Sequence, residues 1–144
     1  MTRAFAAPLT AVDRVGRSAP GTVTAAKDIV ATDPYLGGHY PHLTIYPGVF
    51  SVETVFQAAR AEALRTRPAG STATLAGIRS VSFRAPLLAG DTLTATCVLS
   101  EQDGAGAGGG TVSVRATCVR GDGQTAAKVR MELRVRSPRE VPGA

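Results

Sequence analysis

The sequence predicts an α+β fold in which one long central helix is wrapped by a curved antiparallel sheet of about six strands. Segments rich in Val, Thr, Leu and Ile, separated by turn signals, predict strands over 9–15, 21–30, 72–83, 92–101, 111–119 and 125–136. Glycine-containing turns at 104–110 and 121–123 predict hairpins, and hence antiparallel pairing. An apolar run between these groups of strands predicts the helix, and a sheet packed on that helix is the economical arrangement.

The helix is predicted to begin at Pro47-Gly48 and to continue to about Arg65. Proline suits the first turn of a helix, where its missing N–H would have no partner anyway. The pattern stops before Pro68-Ala69-Gly70, which cannot continue a helix. Because apolar residues cover more than one stripe of this segment, we expect the helix to be buried.

The length and apolar content favour a single domain over residues 1–144, with 137–144 as a flexible tail. No apolar run approaches the roughly 20 residues that a membrane span needs. The first residues do not resemble a signal peptide, so we expect a cytoplasmic protein with no membrane partner.

The net charge of +5 comes from arginines that are scattered along the chain, with few aromatic residues between them. This pattern argues against nucleic-acid binding, whereas a basic surface suits an acidic protein partner. Cys97 and Cys118 are predicted to be reduced and buried, because their spacing matches no metal site. The glycine-rich segment 104–110 lacks the ending of a phosphate loop and precedes a strand, so it is predicted to be a hairpin tip.

The candidate chemistry lies between Gly37 and Ala59. Glu53 falls within the most apolar segment of the chain, where a carboxyl group buried without a partner stays protonated and can act as an acid. His39 lies in a glycine-flanked loop and can serve as a base, and the Gly48 amide at the helix start can polarise a carbonyl. Two alternatives stay open at this point: Glu53 can point to water at the start of the helix, and His39 can simply bond a carbonyl. His42 is predicted to be structural or exposed.

Base, acid and amide together suit proton abstraction next to a carbonyl with loss of a β-leaving group. The same segment resembles the active-site signature of the hotdog-fold β-hydroxyacyl-(acyl carrier protein) dehydratases. The matching residues are Gly38-His39-Tyr40-Pro41, Pro47-Gly48-Val49, Glu53 and Gln57. The stretches PLTAVDRV and GIRSVSFRAPLLAGDTL resemble flanking motifs of that family in the same order.

The resemblance implies a hotdog fold and a lyase that needs no cofactor and no metal. His39 would remove the C2 proton of a 3-hydroxyacyl thioester, Glu53 would protonate the departing hydroxyl, and the Gly48 amide would hold the thioester carbonyl. The residues expected to line the acyl tunnel or bind substrate are Tyr40, Ile45, Tyr46, Val49, Phe50, Gln57 and Phe83.

The family also implies partners. The substrate would be carried on an acidic acyl carrier protein, for which Arg79 and Arg84 are candidate docking residues. Histidine and acid would come from different subunits of a homodimer, or of a heterodimer with a homologous subunit, with a trimer of dimers as a further assembly.

The chain departs from the family pattern at His42-Leu43-Thr44, where glycine and proline are usual. This departure changes the backbone conformations that the loop can adopt. It favours a specialised dehydratase, such as one acting in polyketide biosynthesis, over a housekeeping fatty-acid enzyme. Two rival hypotheses are a hotdog acyl thioesterase, in which the helix acid activates water, and a non-catalytic dehydratase-like subunit of a heterodimer.

Overall fold

Six antiparallel strands and one helix make up the computed structural model, which describes residues 9–34, 36, 40, 42–43, 45–102 and 109–138. In chain order the elements are β1 (Arg14–Ala19), β2 (Thr22–Asp28), α1 (Gly48–Leu64), β3 (Thr72–Phe83), β4 (Thr92–Glu101), β5 (Gly109–Val119) and β6 (Thr125–Arg136). The order across the sheet is β1-β2-β4-β5-β6-β3, so the chain crosses from β2 through α1 to the far edge. The predicted helix and antiparallel sheet are confirmed.

The first strand was predicted incorrectly. Its predicted range, 9–15, precedes most of the observed strand, which runs to Ala19 and pairs with β2 across a two-residue turn. Pro20 and Gly21 form that turn, and Gly21 has a φ of 78°, which favours glycine. Ser18 and Ala19 belong to β1, so the turn consists of Pro20 and Gly21 alone.

Helix α1 packs against the inner face of the sheet along one stripe. Its buried residues recur at helical spacing, at Ser51, Thr54, Val55, Ala58 and Ala59. The strands alternate accordingly: on β6 the residues from Val129 to Val135 point inward at every second position. Register shifts in β3 between Leu75 and Gly77 and between Ile78 and Ser80 are irregularities of the kind that increase local twist.

Both cysteines are buried in this core, as predicted, and neither forms a disulfide. Burial raises the pKa of each thiol to about 12, so neither is a thiolate at physiological pH. Of the predicted tail, Ser137 is buried and Pro138 is described, whereas 139–144 lie outside the described residues. Within the described part of the chain no helix is long and apolar enough to cross a membrane, and the cytoplasmic location stays a prediction.

An ion pair fixes the C-terminal end of α1 to the β1–β2 hairpin. The Glu62 carboxylate, whose side chain is only 6% exposed, accepts from Arg17 Nε at 2.9 Å and from the Gly21 amide at 3.3 Å. Burial raises the pKa of Glu62, but these bonds and the nearby guanidinium groups outweigh it, so the pKa lies below its usual range.

We expect Glu62→Gln to lower the free energy of unfolding by about 1–3 kcal/mol at neutral pH, because it removes the charge of a nearly buried carboxylate that accepts from Arg17 and the Gly21 amide. A depressed folded-state pKa stabilises the fold above the ordinary glutamate pKa of about 4.3, and that contribution is lost as the pH falls through the folded value. Urea unfolding between pH 7 and pH 3 should therefore show the two proteins converging on acidification. Glu101→Gln is the matched control, since Glu101 pairs with Arg67 but is 65% exposed. A gap that widened at low pH would contradict this account.

Candidate active site

The N-terminal end of α1 borders an open cavity of about 620 Å³, here called cavity A. Its described lining is mostly apolar and comes from four parts of the chain: Tyr40, Ile45, Tyr46, Gly48, Val49, Ser51, Phe83, Arg84, Ala85, Pro86, Leu87, Ala126 and Ala127. Six of the residues predicted for the site are thus brought together. Val49 and Phe83 are 65% and 58% exposed, so cavity A lies open at the surface of the single chain.

Backbone bonds between non-consecutive strands build the wall of cavity A. The amide of Arg84 donates to the Ala126 carbonyl at 2.8 Å and so joins the end of β3 to the start of β6. The Pro86 carbonyl in turn accepts from Arg120 Nη1 at 3.1 Å. A loop between two strands is thereby held in place, which keeps the cavity open.

Gly48 is required by the packing of Phe83. A Cβ atom on residue 48 would lie 2.7 Å from Cε1 of the Phe83 ring, so the ring would have to move. Pro47, with a φ of −58°, precedes the helix, and the first amides of any helix have no partner within it. Gly48 therefore brings its backbone to the cavity wall, and the Phe83 ring occupies the space where a Cβ atom would lie.

Tyr46 closes the inner side of cavity A. Its ring contacts that of Phe50 edge to face, with centroids 5.5 Å apart, and its amide donates to the Leu87 carbonyl. Burial raises the pKa of Tyr46 to about 12, against the opposing effect of the Thr54 hydroxyl. That hydroxyl donates to Ala11, and within the described residues the Tyr46 phenol makes no hydrogen bond of acceptable geometry.

Glu53 lies in a different concavity, of about 390 Å³, here called cavity B. Its lining is Leu9, Val49, Phe50, Glu53 and Gln57. Gln57 Nε2 donates to Glu53 Oε1 at 3.0 Å, and the carboxyl group is half-buried. The sequence suggested a carboxyl group buried without a partner. In the structure Glu53 is instead only half-buried and has a hydrogen-bond partner. Within one chain Val49 separates this carboxyl group from cavity A.

His39 lies outside the described residues, as do Gly37, Gly38, Pro41 and Thr44. Sequence reasoning did not find Ser51, Ala126 and Ala127, which line cavity A. Ser51 follows Gly48 by three residues, so helical spacing was a usable signal. No such signal existed for the two alanines, because the pairing of β6 with β3 is not evident from chain order.

Solved structures share this fold and define its class. The Escherichia coli PaaI protein from the phenylacetic acid degradation operon matches with a TM-score of 0.65 at 19% identity, covering 84% of this chain and 77% of its own. The dehydratase heterocomplex ApeI:P from Xenorhabdus doucetiae matches with a TM-score of 0.60 at 21% identity, covering 84% and 94%. The protein is a hotdog-fold protein, as predicted.

Sequence similarity identifies the family. The family model for ApeI-like proteins, described as ApeI dehydratase, matches residues 16–108. The 3-hydroxyacyl-(acyl-carrier-protein) dehydratase FabZ of Nitrosomonas eutropha is 36% identical over 100 residues, which cover 66% of this chain and 69% of that protein. The chain belongs to the ApeI-like dehydratase family, and the predicted class of lyase is confirmed. It spans 62% to 70% of the length of the FabZ relatives that it matches.

We expect Gly48→Ala to displace the Phe83 ring and to destabilise the protein in a way that depends on that ring. In a double-mutant cycle with Phe83→Leu, measured by urea unfolding, the coupling should reach about 1 kcal/mol or more. Gly77→Ala is the control, because a Cβ at residue 77 would meet nothing within 4 Å. Additive effects of Gly48→Ala and Phe83→Leu would show that the contact does not constrain residue 48.

Proposed function

We propose that this protein removes water from a 3-hydroxyacyl thioester carried on an acyl carrier protein and yields the 2-enoyl thioester. The observation that carries the proposal is the placement of Glu53, whose carboxyl group is half-buried in cavity B and held by Gln57. Gly48, at the start of the same helix, faces cavity A. Membership of the ApeI-like dehydratase family and the FabZ names of similar proteins support the same reaction.

In the proposed mechanism His39 takes the C2 proton, and the electrons of that bond form the C2–C3 double bond. The C3–O bond breaks as Glu53 delivers its proton to the hydroxyl, which leaves as water. Since Gln57 donates to Oε1, the proton of Glu53 belongs on Oε2. The Gly48 amide stabilises negative charge on the thioester oxygen. Return of a proton from His39 to Glu53 through solvent restores both groups.

A composite site between two subunits would explain why Glu53 and cavity A are separate in one chain. β3 is an edge strand of 12 residues, and it exposes Leu75 and Ile78. An edge with unpaired backbone groups and apolar side chains favours pairing with another chain. Antiparallel pairing of two β3 strands around a two-fold axis would bring each chain's cavities against its partner.

The outer face of the sheet supports an acidic carrier protein as partner. Six exposed cations of β3, β5 and β6, here called the basic stripe, lie on that face around one acid, Glu132: Arg79, Arg115, Lys128, Arg130, Arg134 and Arg136. The sequence has 16 basic and 11 acidic residues, so ten of each remain outside this group. The basic stripe therefore accounts for the entire net charge of +5.

The charges of the basic stripe are not neutralised within the described chain. Arg79 pairs with Glu132 at 2.8 Å, but none of the other five has a carboxylate within 4 Å among the described residues. Arg115 stands directly opposite Arg130 in the β5–β6 ladder, and like charges in that position are destabilising. On β6 the first residue of the basic stripe is Lys128, which directly follows the cavity-lining Ala127. A carrier docked on the stripe would therefore stand near cavity A. The other docking candidate, Arg84, lines cavity A itself.

The specialised pathway is also part of the proposal. His42 and Leu43, where the chain departs from the family pattern, are both exposed, Leu43 by 53%. They stand close in sequence to Tyr40 and Ile45 of cavity A, so the departure falls beside the proposed acyl site. This placement supports a substrate unlike that of the housekeeping enzyme, such as a polyketide intermediate.

The reaction is tested by incubating the protein with a 3-hydroxyacyl carrier protein and weighing the carrier. Loss of one water supports dehydration, release of the carrier thiol supports the thioesterase hypothesis, and no change supports a non-catalytic subunit. We expect His39→Ala and Glu53→Gln each to lower kcat by about 10²- to 10⁴-fold, because each removes a proton-transfer group. Glu101→Gln is the control. Full activity in either site variant would exclude the mechanism.

Mixing the two inactive variants tests the composite site. If base and acid come from different subunits, a mixed dimer has one intact site, so random mixing restores about a quarter of the wild-type sites. If both groups come from one chain, mixing restores nothing.

Neutralising the basic stripe should weaken carrier binding but spare chemistry on a small thioester. We expect Arg115→Gln and Arg130→Gln each to raise KM for the acyl carrier protein by about 3- to 10-fold at low ionic strength, with less effect as salt is added. KM for an N-acetylcysteamine thioester should not change. Arg60→Gln is the matched control, since Arg60 is exposed on α1. Equal effects on both substrates would reject docking on this face.

A further inference from the structure

Lys27 is a charged residue on the inner face of the sheet. It follows Val23 and Ala25 at alternate positions of β2, and like them it points inward, with only 6% of its surface exposed. Lysine is almost never buried to this extent unless it is paired, and desolvating its ammonium group costs several kcal/mol. An apolar side chain would fill the position without that cost, so the charge itself needs an explanation.

Two carboxylates flank the ammonium group. Lys27 Nζ lies 3.6 Å from Asp13 Oδ1 and 4.0 Å from Asp33 Oδ2. The other oxygen of Asp13 accepts from the Asp28 amide at 2.8 Å, so Asp13 is fixed to the sheet. Asp33 instead begins the segment that leaves the sheet and leads to α1. Lys27 thus joins a carboxylate held by the sheet to one on the connecting segment.

Both ends of segment 33–46 lie at this point. At its start the Leu36 amide donates to the Asp33 carbonyl at 3.1 Å, and Leu36 is buried. At its end the phenol of Tyr46 is buried, and the negative charges of Asp33 and Asp13 contribute to its raised pKa. The start of the segment therefore carries one of the two carboxylates, and its end lies within electrostatic range of both.

Helix α1 reaches this group through Thr54, the neighbour of Glu53. The Thr54 hydroxyl donates to the Ala11 carbonyl at 2.8 Å, and it opposes the rise in the pKa of the Tyr46 phenol. The group, here called the Lys27 cluster, consists of Asp13, Lys27, Asp33, Tyr46 and Thr54. It connects the sheet, both ends of segment 33–46 and the helix that bears the proposed acid.

We propose that Lys27 is a positioning residue that anchors segment 33–46 against β2 and α1 through Asp33, and that catalysis by the proposed base His39 depends on this anchoring. This inference rests on the proposed function, in which His39 is the base. Lys27 acts through the segment and does not touch the substrate.

The first test is Lys27→Met, which removes the charge and keeps most of the volume. We expect kcat with a small 3-hydroxyacyl thioester to fall about 10- to 100-fold, as small misplacements of catalytic groups do, with KM changed far less. Amide hydrogen exchange should rise in peptides covering 33–46 and not in those from β4 and β5. Arg60→Met is the control, because it removes one exposed positive charge from α1. Unchanged exchange in 33–46 would overturn the proposal.

A second variant separates positioning from plain stability. Lys27→Met with Asp33→Asn removes one charge of each sign, so one of the two carboxylates that face residue 27 is neutralised. If Lys27 positions the segment, the double variant should be more stable than Lys27→Met, whereas its kcat should stay as low. The single variant Lys27→Arg, which keeps the charge, should have a higher kcat than Lys27→Met. If stability and kcat recover together in the double variant, the role is only structural and the proposal fails. A wild-type protein that dehydrates no thioester would refute the proposed function, and hydrogen exchange would still decide the role of Lys27.

Discussion

Helix α1 contacts the sheet through small side chains, and this close approach places the rest of the molecule. Ala58 and Ala59 are almost fully buried, and with Thr54 and Ser51 they form a stripe that needs little space between helix and strands. The sheet can approach the helix closely along this stripe, whereas the larger side chains Phe50, Phe56 and Leu64 pack against the core and are only partly buried. The start of α1 is therefore drawn to the end of β3, where Gly48 meets Phe83.

The two ends of α1 differ in how their polar groups are paired. At the C-terminal end, the Glu62 side chain is only 6% exposed and accepts hydrogen bonds from Arg17 and the Gly21 amide. At the N-terminal end, cavities A and B lie on either side of Val49, and the polar groups there, Glu53 among them, remain accessible. Rigid bonding at one end allows an open, reactive arrangement at the other, since stability need not come from both.

Local sequence patterns predicted the ranges of the helix and of most strands, because these ranges depend on nearby residues. The helix, β3, β4 and β6 fell within a residue or so of their observed ranges, and the i,i+4 spacing of Glu53 and Gln57 survives as a hydrogen bond. β1 was misplaced because apolar residues before it resemble a strand, whereas Pro20-Gly21 decides where the hairpin turns. The separation of Glu53 from cavity A and the buried Lys27 depend on how distant elements pack, which no local pattern reveals.

The outer face of the sheet carries the basic stripe, whereas the β3 edge exposes apolar side chains, so the two surfaces suit different partners. Stacking two copies through their outer faces would bring two basic stripes together, and repulsion between them opposes that assembly. The apolar side chains exposed on the β3 edge, Leu75 and Ile78, carry no such penalty. In the proposed assembly, self-association would use the edge of the sheet and would leave the outer face to the proposed acidic carrier. In the proposed dimer through β3 both basic stripes would stay exposed, so one carrier could dock on each subunit.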